Sequence, residues 1–164
     1  MINKARMQYK IITEDIINHE EYLKLKQITH HGITRYDHCL RVSYYSYMVS
    51  RFIGLDYKAA ARAGLLHDFF LDTYNKSNKA SLLIDHPSIA IQNSKKYFDI
   101  NSKEEDIIRS HMFPVSPVLP KYAESWVVCV ADDIAAFVEK YGVYQYKLCY
   151  LFNFYFIFLF TFMK

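Results

Sequence analysis

The sequence predicts an all-α domain of five or six helices. Glycine and proline are rare, with four of each among 164 residues. Several segments repeat apolar residues every three or four positions, as one face of a helix requires. No segment shows the sustained alternation of apolar and polar residues that is typical of strands. Because this length suits one domain with a real core, we expect residues 1–142 to form a single unit.

The first helix is expected over residues 14–29, with Thr13 as its N-cap and two acids in its first turn. The second covers residues 36–52. Its inward stripe, at spacings of 4, 3, 4 and 3, would consist of His38, Val42, Tyr45, Val49 and Phe52. Gly54 is expected to end this helix.

A third helix is predicted over residues 57–70, capped by Asp56. Its small residues Ala60, Ala63 and Gly64 share a face with His67, which would let a neighbouring helix approach closely. Residues 71–81 are rich in Asn, Ser and Lys and indicate a loop.

Three further helices are predicted. The first covers 87–97, with Pro87 in the first turn, where its missing N–H does no harm. The second covers 102–112 and has acids in its first turn. A proline-rich connection follows, and the last helix covers 122–141.

Residues 143–164 form an aromatic and apolar tail. Its 16-residue stretch from Leu148 to Met163 contains only two polar residues and is shorter than the roughly 20 residues of a membrane-spanning helix. Three interpretations stay open: a last core element, a segment that associates with a membrane or another subunit, and a non-native tail. We therefore infer no function from it.

Composition bears on location and partners. The net charge is +3, with basic and acidic residues mixed along the chain, so binding to nucleic acid through bulk charge is not indicated. The three cysteines are widely spaced without a CxxC pair, and the N-terminus has no signal peptide. Both features favour a reduced, cytoplasmic protein. The sequence leaves the oligomeric state open.

Six residues could bind a metal and are expected on inward helix faces. They are His38, His67, Asp68, His86, His111 and Asp132. A single buried histidine is usually a structural residue, but six inward nitrogen and oxygen ligands in one small domain favour a metal centre. Such a mixture suits hard and borderline divalent cations.

Four of these residues carry a family resemblance. His38 in RYDHCLRVS, His67 and Asp68 in GLLHDFF, and Asp132 in VCVADDIAA follow the order and setting of the HD-domain metal-dependent phosphohydrolases. The resemblance covers roughly residues 32–139. His86 in DHPSIA and His111 in IIRSHMFP resemble the two extra histidines of the subgroup with a two-metal centre.

The resemblance implies an HD-type helical bundle that holds one or two divalent ions (Fe, Mn, Zn, Co or Mg). The first ion would be held by the four residues of the H…HD…D pattern, with Asp132 rather than its neighbour Asp133 as the last ligand. The second would be held by His86 and His111, with Asp68 bridging. His67 and Asp68 would be the central catalytic residues, because a metal-activated water would attack the phosphorus.

The expected substrate is a nucleotide or another small phosphorylated metabolite. Its phosphate requires further cations, for which Arg35, Arg41 and Lys76 are the candidates. Asp72 is a candidate for orienting a ligand or a water molecule.

Two alternatives remain at this point. The same ligand set resembles that of the HD-fold di-iron oxygenases, which activate oxygen. The chain could instead be a non-catalytic module that binds a nucleotide or another signal.

Overall fold

A computed structural model describes residues 2–30, 32–71 and 79–162 of the chain, and the side chains of residues 4–29, 32–71 and 85–142. Helices dominate this part of the chain, which confirms the all-α prediction. In order, the elements are α1 (Ile2–Ile17), α2 (Glu20–Leu23), a 3-10 helix (Lys24–Gln27), β1 (Thr29–His30), β2 (Ile33–Thr34), α3 (Arg35–Ile53), α4 (Tyr57–Leu66), α5 (Lys79–Tyr97), α6 (Ser102–Ser110) and α7 (Ala123–Phe162).

The predicted first helix was wrong in its position. Helix α1 ends at Ile17, and residues 20–27 form two short turns of helix instead of continuing it. Thr13 lies inside α1, where its hydroxyl donates to the carbonyl of Tyr9 at 2.9 Å instead of capping a helix end. Serine and threonine in a helix interior commonly bond back in this way.

A small antiparallel hairpin precedes α3, which the sequence did not predict. Thr29 pairs with Thr34, and His30 pairs with Ile33. Gly32 in the turn has a φ of 93°, which favours glycine. Strands of two residues are too short for alternation to be visible in a sequence. Thr34 then caps α3, its hydroxyl accepting the backbone N–H of Asp37 at 3.1 Å.

Helix α3 has the predicted length, but its inward face was predicted only in part. His38 and Val42 are buried, whereas Tyr45, Val49 and Phe52 are 39%, 46% and 91% exposed. The buried face turns instead toward smaller and polar residues, which are Cys39, Ser43, Ser46, Tyr47 and Ser50. The apolar stripe therefore follows the surface beyond its first two turns.

The exposed part of this stripe borders an apolar groove. Tyr45 and Val49 of α3 line it together with Trp126 and Val130 of α7, around a volume of about 430 Å³. The groove explains the apolar spacing of α3 without placing these side chains in the core.

Helices α3 and α4 pack very closely, as the small residues of α4 predicted. A Cβ added at Gly64 would lie 2.8 Å from Cα of Ser43. The Ser43 hydroxyl donates to the carbonyl of Ala61 at 2.6 Å and accepts from the Tyr9 hydroxyl at 2.8 Å. These contacts join α1, α3 and α4 three residues before the dipeptide His67–Asp68, which is called the HD dipeptide below.

Asp56 caps α4 as predicted, accepting the backbone N–H of Ala59 at 3.1 Å. Gly54, with a φ of 79°, ends α3 as predicted. Helix α4 ends at Leu66 rather than at residue 70, so His67 is its C-cap residue.

Helix α5 begins at Lys79, so Pro87 lies in the interior of a helix rather than in its first turn as predicted. A proline there removes one backbone hydrogen bond but does not always end a helix. Helix α6 lies close to the predicted bounds and begins with a capping box of Asn101 and Glu104.

Helix α7 begins as predicted but continues to Phe162. The tail side chains from residue 143 onward lie outside the described part, as do Asp72, Lys76 and most of the predicted 71–81 loop. Among the residues searched, no helix is both long enough and apolar enough to cross a membrane.

The contact at Gly64 leads to a stability prediction. We expect Gly64→Ala to lower the free energy of unfolding by about 1–3 kcal/mol, because the added methyl group collides with the α3 backbone. Gly142→Ala is the matched control, since a Cβ at Gly142 meets nothing within 4 Å. It should be neutral or stabilise by up to about 1 kcal/mol. Chemical denaturation followed by circular dichroism measures both, and equal effects would contradict the close-packing argument.

The domain boundary at residue 142 stays a prediction, which a truncation can test. The main buried apolar cluster of the described residues reaches no further than Ala135. A chain ending at Gly142 should therefore keep a cooperative thermal unfolding transition. A truncated protein without such a transition would show that the tail contributes to the core.

Candidate metal centre

The six predicted ligands converge from five helices. His38 lies in the first turn of α3, and His67 and Asp68 immediately follow α4. His86 lies in α5, His111 immediately follows α6, and Asp132 lies in α7. The four histidines and Asp68 are all buried. Residues up to 94 positions apart in sequence are thereby brought together in the core.

One half of the centre is formed around Asp132. Its Oδ1 lies 2.9 Å from Nε2 of His38 and 3.6 Å from Nε2 of His67. The rings of these two histidines are 5.4 Å apart between centroids. Two imidazole nitrogens therefore face one carboxylate oxygen.

The other half is formed around Asp68. Its Oδ1 lies 3.3 Å from Nε2 of His86 and 3.7 Å from Nε2 of His111. The two Nε2 atoms are 2.9 Å apart. The ring of His111 also lies 4.9 Å from that of His67, which places the two halves side by side.

The ring nitrogens are oriented by backbone carbonyls outside the centre. Nδ1 of His67 lies 2.8 Å from the carbonyl oxygen of Gly64, and Nδ1 of His111 lies 2.8 Å from that of Ile108. A carbonyl only accepts, so each Nδ1 must carry the proton, and in a neutral ring Nε2 then holds a lone pair. Whenever these rings are neutral, as metal binding requires, their Nε2 lone pairs point toward the centre.

Sequence reasoning missed Glu139, which contacts His38. Its Oε2 lies 2.9 Å from Nδ1 of His38, and its Oε1 accepts from Nη1 of Arg41 at 2.9 Å. The available signal was an acid in an apolar helix seven residues after Asp132, which places the two acids on one helix face.

Burial and mutual charge shift the pKa values of the centre in opposite directions. Burial alone would raise the pKa of Asp68 and Asp132, but the surrounding histidines outweigh it and hold both carboxyls below their usual range. Burial opposes the charge on His38, yet its hydrogen bonds to Asp132 and Glu139 raise its pKa to about 10. Burial and the nearby His67 lower the pKa of His111 to about 4.

The three predicted phosphate-binding cations lie in different settings. Arg35 is buried beside the centre, with Nε 4.0 Å from Oδ2 of Asp68 and Nη1 donating to the carbonyl of Phe70 at 2.7 Å. Arg41 is about one third exposed and pairs with Glu139. Lys76 lies outside the described residues. The role of all three toward substrate stays a prediction.

The donor atoms fit divalent cations. Three overlapping groups each offer ligand atoms within 4.8 Å of one another: His38, His67 and Asp68; His67, His111 and Asp132; Asp68, His86 and His111. Nε2 of His67 is fully buried and makes no hydrogen bond in the described part of the chain. A buried lone pair without a donor is costly unless a cation binds it.

The fold and the clustered histidines and aspartates together place this chain in the class of all-helical proteins with a candidate metal centre. The family model for the HD domain matches residues 35–136, more than half of the chain. The chain therefore belongs to the HD-domain family, a superfamily composed mostly of metal-dependent phosphohydrolases, as the H…HD…D pattern predicted.

One curated relative is Ribonuclease Y from Aquifex aeolicus (strain VF5). It is 33% identical over 99 residues, which is 60% of this chain and 16% of that protein. The chain thus spans about one sixth of the length of that relative. No solved structure gives a significant match.

The overlapping groups predict metal stoichiometry. We expect His86→Ala or His111→Ala to lose one metal equivalent and to keep the other, because the assignment gives each of these residues to the second ion only. Asp68→Ala should lose both, because Asp68 is the ligand that the assignment shares between the two ions. Elemental analysis after reconstitution and desalting measures this.

The control for stoichiometry is His19→Ala, because His19 caps α2 by accepting the N–H of Glu21 and belongs to none of the three groups. It should keep the wild-type metal content. Retention of two equivalents by the His86 or His111 variant would contradict the assignment of the second ion.

Proposed function

We propose that this chain is a metal-dependent phosphohydrolase that cleaves a phosphoester or phosphoanhydride bond of a nucleotide or another small phosphorylated metabolite. The observation that carries the proposal is the convergence of six nitrogen and oxygen ligands, five of them buried and Asp132 partly buried, in one HD domain. The whole ligand set is present, which favours an active enzyme over a non-catalytic binding module.

One or two divalent ions, when bound, would supply Lewis acidity and an activated water at neutral pH. His38, His67, Asp68 and Asp132 would hold the first ion, and His86 and His111 the second, with Asp68 shared between them. The chain's own contribution is to keep these ligands rigid, through the bonds from His67 and His111 to backbone carbonyls. Rigid ligands reduce the reorganisation required at the transition state.

Arg35 is proposed as a contact for a substrate phosphate. Its guanidinium lies 4.0 Å from Asp68 and stacks over the ring of Phe70 at 3.8 Å. A planar guanidinium held in this way is suited to phosphate, because its fork of N–H groups keeps a fixed direction. Lys76 is proposed as a second contact from the segment between α4 and α5.

Two other reactions are outcomes of the same screen. Phosphodiester cleavage in RNA is considered because the relative is named as a ribonuclease. Oxygen activation at a di-iron centre is considered because its ligands are also histidine and carboxylate. Mixed N/O ligands do not select one metal, so each ion is loaded separately.

The screen uses the full chain loaded with Mn²⁺, Co²⁺, Zn²⁺, Mg²⁺ or Fe²⁺. Substrates are p-nitrophenyl phosphate, bis(p-nitrophenyl) phosphate, nucleoside mono-, di- and triphosphates, dinucleoside polyphosphates and a short RNA. Phosphate release and chromatography of the products measure hydrolysis. Hydrolysis of a nucleotide or small phosphoester supports the proposal. A fully metallated chain that cleaves none of the small substrates overturns it, whether it cleaves the RNA, consumes oxygen when loaded with iron or does neither.

Two neighbouring acids provide a sharp pair of variants. Asp132 faces His38 and His67, whereas Asp133 is exposed to solvent. We expect Asp132→Asn to lower kcat/KM by more than the roughly 100-fold that loss of an outer partner of a ligand costs. Asp133→Asn should stay within about threefold of wild type, since surface changes have small effects. Equal losses in both variants would contradict the assignment of Asp132.

A further inference from the structure

Glu139 is a buried carboxylate that is not one of the six ligands. Its side chain is 0% exposed, and its two oxygens make separate contacts, with His38 and with Arg41, both at 2.9 Å. It lies three residues beyond the segment that the HD family model matches. The family match therefore gives no account of this residue.

We propose that Glu139 is a positioning residue that fixes the ring of His38 for metal binding, and that Arg41 holds Glu139 in place. The inference rests on the metal centre of the proposed function. It adds that α7 contributes to the centre at two levels, through Asp132 as a ligand and through Glu139 as the acceptor behind another ligand.

Helix α7 contacts both ring nitrogens of His38. Asp132 lies 2.9 Å from Nε2 of His38, and Glu139 lies 2.9 Å from Nδ1 of the same ring. Seven residues separate the two acids, which is two helical turns or about 10.5 Å of rise. The ring of His38 is thus held between successive acids on one face of a single helix.

His38 differs from His67 and His111 in the group that contacts its Nδ1 atom. Nδ1 of His67 and of His111 each has a backbone carbonyl from the residue three positions earlier. The described Nδ1 contact of His38 is instead to a carboxylate on a different helix. A carboxylate behind a ligating imidazole fixes the tautomer and strengthens Nε2 as a donor to the metal.

Arg41 offsets the free-energy cost of burying the Glu139 carboxylate. An isolated carboxylate in the core is destabilising by several kcal/mol unless it is paired. Arg41 supplies a charged partner while its own side chain remains one third exposed. This arrangement keeps one carboxylate oxygen on Arg41 and leaves the other for His38.

The test measures Co²⁺ binding by the full chain, through chelator competition and the visible absorption bands of the bound ion. We expect Glu139→Gln to raise the dissociation constant of one Co²⁺ site, the one that includes His38, by about 10–100-fold, the usual effect of losing such a partner. The absorption bands should also change, because the ring of His38 is no longer fixed. A variant that only lost stability would leave these bands unchanged in its folded fraction.

Glu124→Gln is the matched control. Glu124 is also a buried carboxylate on α7, but it bonds to Lys103 at 3.0 Å and to the backbone N–H of Asp56 at 2.8 Å. This variant should bind Co²⁺ as wild type does, with unchanged bands. Should Glu139→Gln fail to fold, Glu139→Asp retains the charge but shortens the reach to His38, and it should weaken Co²⁺ binding in the same direction.

The variant Arg41→Gln distinguishes a positioning role of Arg41 from its predicted contact with the substrate phosphate. If Arg41 holds Glu139, Arg41→Gln should raise the Co²⁺ dissociation constant in the same direction as Glu139→Gln. A raised KM with unchanged Co²⁺ binding would overturn this part of the inference and assign Arg41 to the phosphate.

The outcomes distinguish the inference from the proposed function. Wild-type affinity in folded Glu139→Gln or Glu139→Asp overturns the positioning role, while hydrolysis by wild type still supports the function. Weakened Co²⁺ binding in these variants supports the positioning role even if the wild-type chain hydrolyses no substrate. A wild-type chain that binds no Co²⁺ overturns both.

Discussion

The burial of ionised carboxylates among histidines is the interaction on which this structure depends. Asp68 and Asp132 lie in a core where a lone charge is strongly unfavourable. The imidazoles around them compensate that cost and hold both carboxyl pKa values low. Because the two carboxylates and their histidine partners come from five helices, the compensation is available only when the helices are assembled around the centre. The arrangement of the domain and the geometry of the site are therefore one constraint.

The close contact of α3 and α4 is the packing feature that meets this constraint. Gly64 lies against the backbone of Ser43, and the carbonyl of Gly64 also accepts from His67. One residue thus sets both the distance between two helices and the orientation of a ligand. The same contact explains why the inward face of α3 consists largely of small and polar residues. Its larger apolar side chains, such as Phe52, remain on the surface.

The sequence predicted well those features that follow from local chemistry or from a family pattern. The caps Asp56 and Gly54 were predicted because a cap needs only its own helix end, and the six candidate ligands were selected because the family pattern gives their order along the chain. The predicted inward face of α3 was wrong beyond Val42, because apolar periodicity does not distinguish a face that packs in the core from one that lines an exposed groove. Glu139 was missed because its role depends on a contact between residues 101 positions apart in sequence.

The HD dipeptide shows how a local break in structure serves the centre. Neighbouring residues on a helix point about 100° apart, so two adjacent side chains have different neighbours. Here α4 ends at Leu66, and the two side chains diverge from its end. His67 faces Asp132, whereas Asp68 directs Oδ1 toward His86 and Oδ2 toward Arg35. Because Asp68 shares a group with His38 and another with His86, the two halves cannot change independently. A displacement of Asp68 would therefore alter both halves.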